Sequence, residues 1–181
     1  MDRDNKILLK AIAEGDRKAF EQLYRTYKDG LFSAVLSLLD GDRAASEDVL
    51  HDVFVTLAER AGKLELTSTL KNYLLACSLN RARDILRRRT RERICTERLG
   101  NRIPESTESF ARLEFSEELS SLMAALASLP DKQRDVVVLH IHGQLKFREI
   151  AEMLGISPNT AQSRYRYALS ALRKLLAETE V

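Results

Sequence analysis

Tryptophan is absent from this chain of 181 residues, and proline (three) and glycine (seven) are scarce. So few breakers in a sequence rich in Leu, Ala, Arg and Glu point to helices and away from a β-sandwich or β-barrel. Cysteine is almost missing. Cys77 and Cys95 make no disulfide framework and no CxxC pair suggests zinc, so the expected compartment is a reducing cytoplasm. Long apolar runs are also lacking. Nothing approaches the ~20 apolar residues of a membrane span, and the longest candidate, Leu31 to Leu39, is broken by serines. The opening MDRDNK is of mixed charge and lacks the apolar centre of a secretory signal. Catalytic signatures are missing as well: there is no P-loop, no Gly-rich dinucleotide turn and no Ser/His/Asp order. His140 and His142 stand two apart, about 200° apart around a helix, with no third ligand at useful spacing. Neither metal nor cofactor is expected, and no enzymatic activity.

What is present is 44% apolar and 31% charged residues, ordinary for a globular chain and too apolar for wholesale disorder. The net charge of +2 conceals strong segregation. Residues 1–80 carry −2, whereas nine cations against three anions give +6 over 81–102. Residues 103–131 carry −5 and residues 132–181 carry +3. Sign asymmetry of this kind suggests a multi-part chain with a nucleic-acid partner, although a basic run is also what a solvated helix end looks like.

Apolar periodicity places the helices. Lys6 to Glu14 reads as a short one. Asp16 to Leu39 carries Phe20, Leu23, Tyr24, Tyr27, Leu31 and Leu38 on one face, and Gly41 stops it. Ala44 to Arg60 repeats the pattern with Val49, Val53, Phe54 and Leu57. A loop, Gly62 to Thr69, leads to a helix from Leu70 to about Arg89 with Leu70, Leu74, Cys77 and Ile85 on its stripe. The segment LGNRIPESTES has Gly, Pro and Ser and no period, so it reads as a linker. Phe115, Leu119, Leu122, Leu126 and Leu129 mark the next helix, which Pro130 ends. Asp131 is then placed to cap a helix bearing Val136, Val137 and Ile141, closed by Gly143. Phe147 to Leu154 is short, and Ser157-Pro158 opens a final helix to about Ala177, Ser as cap and Pro at the first helical position. With the chain ending soon after, no appended sensory domain is expected.

The segment FREIAEMLGISPNTAQSRYRYALSALRKLL has the layout of a helix-turn-helix. Ala151 is small enough for two helices to cross closely, and Gly155, four residues on, permits a positive φ in the turn. Ile150, Leu154 and Ile156 fill the space between them. The following helix starts with Asn159, Thr160, Gln162, Ser163 and Arg164, polar residues that can reach base edges, as the N-terminal part of a recognition helix does. Gln suits adenine and Arg suits guanine, while Arg166, Arg173 and Lys174 suit phosphates. A plain helical hairpin packed in a bundle would share this layout, but the polar start and basic tail would then have no purpose.

From Ile7 to Leu176 the chain resembles a bacterial RNA polymerase sigma factor of the extracytoplasmic-function group. In the first half the resemblance rests on AFEQLYRTYKDGLFSAVLSLL, SEDVLHDVFVTLAER and NYLLACSLNRARDILRRR. In the second it rests on LASLPDKQRDVVVLHIHGQLKFREIAEMLGISPNTAQSRYRYALSALRKLL. It implies an all-α fold of two small helical domains on a flexible tether: sigma domain 2 at residues 1–95, a linker at 96–110 and sigma domain 4 at 111–181. Domain 2 of the family binds the β′ clamp of core polymerase and recognises and opens the −10 element. Domain 4 sits near the β flap and reads the −35 element as duplex. The family is not catalytic. Its members are often held by an anti-sigma protein wedged between the two domains, which a connector around Leu99–Ser109 would accommodate.

The resemblance assigns Asp48, His51 and Asp52 to the polymerase interface, where charge would help on-rate and register. Solvent-facing helix charge is the plainer reading of these three. It assigns Asn80, Arg81, Arg83, Arg87 and Arg88 to the opened strand, which needs cations for phosphates and a pocket for an unstacked base. Leu64, Thr67 and Ser68 are the pocket candidates. Ser157, Asn159, Thr160, Gln162, Ser163, Arg164, Arg166, Arg173 and Lys174 are assigned to the −35 duplex.

The chain also departs from the family's pattern. Tyr73 to Asn80 reads YLLACSLN where the family often has Trp-Leu-Tyr-Arg-Ile-Ala-Arg-Asn, so two cationic positions have become Ala76 and Leu79. Ala58 stands where an aromatic is usual, and Gln162 and Tyr167 where Lys or Arg is common. These changes imply a weaker hold on the opened strand or a greater reliance on Arg81 to Arg93. The alternative function is a stand-alone helix-turn-helix regulator whose first half senses a ligand or dimerises. Such a protein would bind its operator without polymerase.

Overall fold

Asp16 and Asp42 start the second and third helices of the first half by accepting backbone N–H groups that would otherwise be orphaned. In the computed structural model, which describes residues 2–66, 68–98 and 117–179, Asp16 accepts from Lys18 N and Ala19 N at 2.8 and 3.3 Å. Asp42 accepts from Ala45 N at 3.0 Å. The helices are α1 (Asp2–Ala13), α2 (Arg17–Leu38), α3 (Arg43–Arg60), a 3₁₀ turn (Ala61–Lys63) and α4 (Leu70–Arg98). The second half holds α5 (Glu117–Ala127), α6 (Asp131–Ile141), α7 (Phe147–Leu154) and α8 (Pro158–Thr179). Among the described residues there is no strand, and no helix is long and apolar enough to cross a membrane. Thr67 and residues 99–116, which include most of the expected linker and Leu99–Ser109, lie outside the described residues.

Two local expectations are corrected. The helix expected to end near Arg89 continues to Arg98. Residues 90–98 hold no Gly or Pro, Arg88 Nε pairs with Glu92 at 2.7 Å, and Thr90 and Thr96 return their hydroxyls to Leu86 and Glu92 carbonyls. Pairs one turn apart support a polar helix that has no apolar stripe. Asp131 is not the cap of α6. Pro130 holds that position with no side-chain bond, and Asp131 sits in the first turn. There its carboxylate is favoured by the helix N-terminus and accepts from Arg134 Nη2 at 2.9 Å.

The turn between α7 and α8 is as expected. Gly155 has φ 64° and ψ 39°, the left-handed conformation that a Cβ disfavours. Ser157 Oγ then accepts from Thr160 N at 3.0 Å and Pro158 is the first residue of α8. Gly143, after α6, leaves room for a carbonyl: a Cβ there would stand 2.3 Å from Leu139 O.

In the first half, Leu23, Val35, Leu39, Phe54, Leu57, Leu70 and Leu74 are sealed from solvent. Phe54 is held edge-on by Tyr24 and Phe20, at 4.8 and 6.2 Å between ring centres. In the second, Ala125, Leu126, Leu129, Val137, Ala168 and Leu172 make a small cluster. The larger core does not stop at the boundary between halves. It runs from Leu38 and Leu39 through Val136, Leu139 and Leu145 to Ile150 and Ala161. α2 packs on α5 and α6, and α4 packs on α7. A helical unit of about 60 residues buries too little apolar surface to be comfortably stable alone, and the shared core adds to it.

Leu57 is fully buried in this core. Leu57→Ala is expected to cost about 2–5 kcal/mol, read as a lower urea midpoint. A loss under about 1 kcal/mol would mean that the site collapses around the gap.

Candidate nucleic-acid interface

α8 separates its two tasks by face. Ala161, Ala168 and Leu172 point inward and are buried, so α8 packs against α6 and α7 along that side. Asn159, Gln162, Ser163 and Arg166, spaced at three, one and three residues, lie opposite, and all but half-buried Ser163 are exposed. Arg173 and Lys174 are exposed further along α8. Arg164 is half-buried at the flank between the two faces. Tyr167, 59% exposed, lies under the Arg166 guanidinium at 5.7 Å, a stacking geometry that also suits a base. Ser157 and Thr160 are engaged with each other, their hydroxyls 2.8 Å apart, so they shape the first turn as well as fronting it. The helix-turn-helix is wedged from inside by rings. His140 stacks on Phe147 at 4.6 Å and meets Tyr165 edge-on at 4.7 Å. Its Nδ1 donates to Leu145 O at 2.8 Å, a structural use of the histidine. Among the described residues no group of three His, Cys, Asp or Glu could hold a metal ion.

The cations of α4 lie on its outer face. At 100° per residue, Asn80, Arg81, Arg83, Arg87 and Arg88 span an arc of about 160°, opposite buried Leu75, Ala82 and Leu79. Three of the arginines are paired at the surface. Arg87 Nη1 meets Asp84 at 3.5 Å, Arg88 meets Glu92, and Arg81 Nη2 reaches Asp52 of α3 at 3.7 Å. Such exposed pairs are worth little, so a phosphate can replace the carboxylate at small cost. Asn80 is exposed. Arg83 differs: its guanidinium donates to Asp135 Oδ2 of α6 through both Nε, at 3.2 Å, and Nη2.

The three pocket candidates are not brought together. Leu64 is half-buried beside α1, in a groove with Lys6, Leu9 and Lys10. Thr67 lies outside the described residues. Ser68 is exposed and lines a different groove of about 440 Å³ with Leu66, Asn72, Tyr73 and Ala76, closed on its far side by Glu149, Glu152 and Met153 of α7. Leu66, Asn72 and Tyr73 were missed by sequence reasoning. A loop has no period to say which of two leucines faces which way, but the spacing of Asn72 and Tyr73 before Ala76 is a helical signal that could have found them. Burial pushes the Tyr73 hydroxyl above its ordinary range.

Asp48, His51 and Asp52 are exposed on one face of α3, at steps of three and one. The structure adds Val55, 40% exposed, which continues that face at i+7 from Asp48. An apolar side chain flanked by charge is what an interface core looks like.

Both halves match models of one family. The model described as Sigma-70 region 2 matches residues 23–92, and that described as Sigma-70, region 4 matches residues 119–172. The RNA polymerase sigma-E factor of Streptomyces antibioticus is 32% identical over 169 residues, 91% of this chain and 88% of its own. The ECF RNA polymerase sigma factor SigW of Bacillus subtilis is 23% identical over 184 residues, 94% of this chain and 95% of its own. Among solved structures, the sigma factor RpoE in complex with the anti-sigma factor NepR from Bartonella quintana superposes with a TM-score of 0.72 at 25% identity. That match covers 88% of this chain and 98% of that one. The match of the first half to region 2 does not favour the stand-alone regulator. The chain belongs to the sigma-70 family of RNA polymerase sigma factors, in its extracytoplasmic-function group.

Proposed function

We propose that the protein binds core RNA polymerase through α3, lets α4 take up the opened strand of the −10 element, and reads the −35 duplex with α8. The observation that carries this reading is the coexistence, in one chain, of two outward polar helix faces on the halves that match regions 2 and 4. Each face is backed by a buried one, and on α4 Arg83 alone of the five assigned residues is tied to a buried partner, Asp135. We propose domain 2 at residues 1–95, a linker at 96–110 and domain 4 at 111–181, and both matched regions fall inside the outer two. The protein performs no bond chemistry of its own: the reaction belongs to the polymerase, in the cytoplasm, and no cofactor enters. An anti-sigma factor is proposed as a further partner, on the likeness to the RpoE chain that is solved with NepR.

The division of labour follows from physical chemistry. Phosphate contacts position and base contacts specify. On α8, Asn159, Gln162, Ser163 and Arg164 are near the helix start that enters a major groove, while Arg166, Arg173 and Lys174 are suited to the backbone. On α4 the cations track a single strand, and the groove floored by Ser68, Asn72 and Tyr73 gives an unstacked base an apolar wall and polar edges. On α3, Asp48, His51, Asp52 and Val55 form a mixed patch for a clamp that carries the opposite charge.

Run-off transcription from genomic fragments with bacterial core polymerase is the direct test. Discrete starts that require the protein are expected; autonomous operator binding with no core association would overturn the reading. Arg164→Ala is expected to weaken promoter binding by about 1–3 kcal/mol and to relax discrimination within the −35 element, whereas Arg173→Ala should weaken all sequences alike and reduce the salt slope by about one. Footprinting and salt titration of the polymerase complex separate the two. Asp48→Arg together with Asp52→Arg should lower affinity for core about tenfold or more, measured by co-purification, and unchanged recovery of core would remove α3 from the interface.

A further inference from the structure

α8 carries two tyrosines on opposite sides. Tyr165 and Tyr167 stand two residues apart, about 200° around the helix. Tyr165 turns inward, its ring edge-on to His140 at 4.7 Å and to Phe147 at 5.4 Å. Tyr167 is 59% exposed, and among the described residues no other aromatic is left exposed. It follows Thr160 and Ser163 at steps of three and four, and Lys174 comes seven residues later. The ring therefore shares a stripe with residues assigned to the duplex.

A lone exposed ring means nothing by itself; its setting gives it a use. Arg166 Cζ lies 5.7 Å from the ring centre. Neighbours in a helix diverge by about 100°, so this contact exists because the Arg166 side chain folds back across the ring. One face is thereby committed to a cation, and the exposed remainder is open to a ligand. Arg166, Arg173 and Lys174 are all exposed within about two turns of the ring. That charge favours the polyanionic backbone of DNA as the neighbour over an apolar protein surface. Tyr167 lies about 14 Å along the axis from Pro158, the first residue of α8. At that depth a helix that enters the groove by its N-terminus is leaving it. A long side chain still reaches a base edge there, whereas a short one such as Ser170 does not.

The ring also limits what can be read. A phenolic hydroxyl both donates and accepts, so it meets the polar edges of all bases alike. The thymine C5 methyl is the apolar group of the major groove, and it is the group that an aromatic surface distinguishes. We propose that Tyr167 is a further specificity-determining residue: its ring, steadied by Arg166, packs on the C5 methyl of a thymine in the −35 duplex. This rests on the reading of α8 as the −35 helix. The contact extends the sequence read beyond the pairs that the first two turns touch.

The test uses the full chain bound to core RNA polymerase, on a promoter duplex obtained by run-off transcription. Each thymine of the −35 element, on either strand, is replaced in turn by deoxyuridine, which removes the methyl and keeps the base pair. Affinity is measured by competition with the unmodified duplex. Wild type is expected to lose about fourfold at one position, the worth of one buried methyl. Tyr167→Ala should bind the unmodified duplex about fourfold more weakly and be indifferent to uracil at that position. Tyr167→Phe should keep the wild-type preference, while Tyr167→Lys should lose it and steepen the salt dependence by about one. Circular dichroism checks that each variant retains its helix. The same uracil sensitivity at every position in wild type and Tyr167→Ala overturns the proposal. So does a −35 element without an A·T pair, or a Tyr167→Ala defect that appears as poor recovery of core, which would make the ring a protein contact. Gln162→Ala and Arg164→Ala on the same duplexes examine the underlying reading. If neither changes discrimination within the −35 element, α8 is not its reader; if they do and Tyr167→Ala does not, only the role of Tyr167 falls.

Discussion

Asp135 is a buried acid between two bodies, and much of the arrangement follows from what it needs. Burial pushes its carboxyl above the ordinary range, and Arg83, from the opposite half, is the group that offsets this by donating two bonds to one oxygen. Breaking such a pair by removing one partner leaves an uncompensated charge, although the pair itself adds little over an apolar contact. Its value is therefore one of register. Arg83 can meet Asp135 only if α4 and α6 lie at one mutual setting, and that setting also brings Asn72 to Glu149, and Arg134 to Asp40. Apolar burial is non-directional, whereas these ion pairs each require one particular placement of donor and acceptor.

The sequence displayed the helices because each has a local cause. Apolar stripes, the caps at Asp16 and Ser157, and the breakers at Gly143 and Gly155 all act within a turn or two, and the structure follows them. The end of α4 was invisible for the same reason: residues 90–98 bury no stripe, so periodicity is silent where only pairs such as Arg88 with Glu92 hold the helix. The meeting of the halves was invisible for a different one. Arg83 and Asp135 are 52 residues apart, Asp40 and Arg134 are 94 apart, and Ser37 and His142 are 105 apart. No spacing rule pairs such positions. The sequence did carry a hint in Ala76 and Leu79, two apolar residues where the resemblance implies cations. They are a weakened strand contact when α4 is considered alone and a docking surface when α7 is beside it.

The basic segment shows why charge counts and charge availability differ. Its nominal excess is large, yet Arg81, Arg87, Arg88 and Arg89 each face a carboxylate, from Asp52, Asp84, Glu92 and Asp42. Three of these pairs are exposed on both sides and exchangeable with phosphate at little cost. The fourth is different, since Asp42 also caps α3 and is largely buried. Arg89 therefore belongs to the scaffold while Arg87 and Arg88 remain available, a distinction that sequence composition blurs.

α8 meets the opposite constraint. A reading helix must hold its first turn rigid and still offer that turn to a base pair, and the residues best at capping are also those able to touch bases. Here Ser157 and Thr160 are bound to each other and to the backbone, so their hydroxyls have little capacity left for direct selection. Discrimination then falls to Asn159 in that same turn and to Gln162, Ser163 and the flanking Arg164 further in. Because Ala161 and Ala168 are small side chains facing α6 and α7, they let α8 sit close, and His140 wedged between Phe147 and Tyr165 sets how far its outer face projects. The aromatic wedge is thus a positioning element for base reading, and its apolar character is as much a part of recognition as the polar stripe it supports.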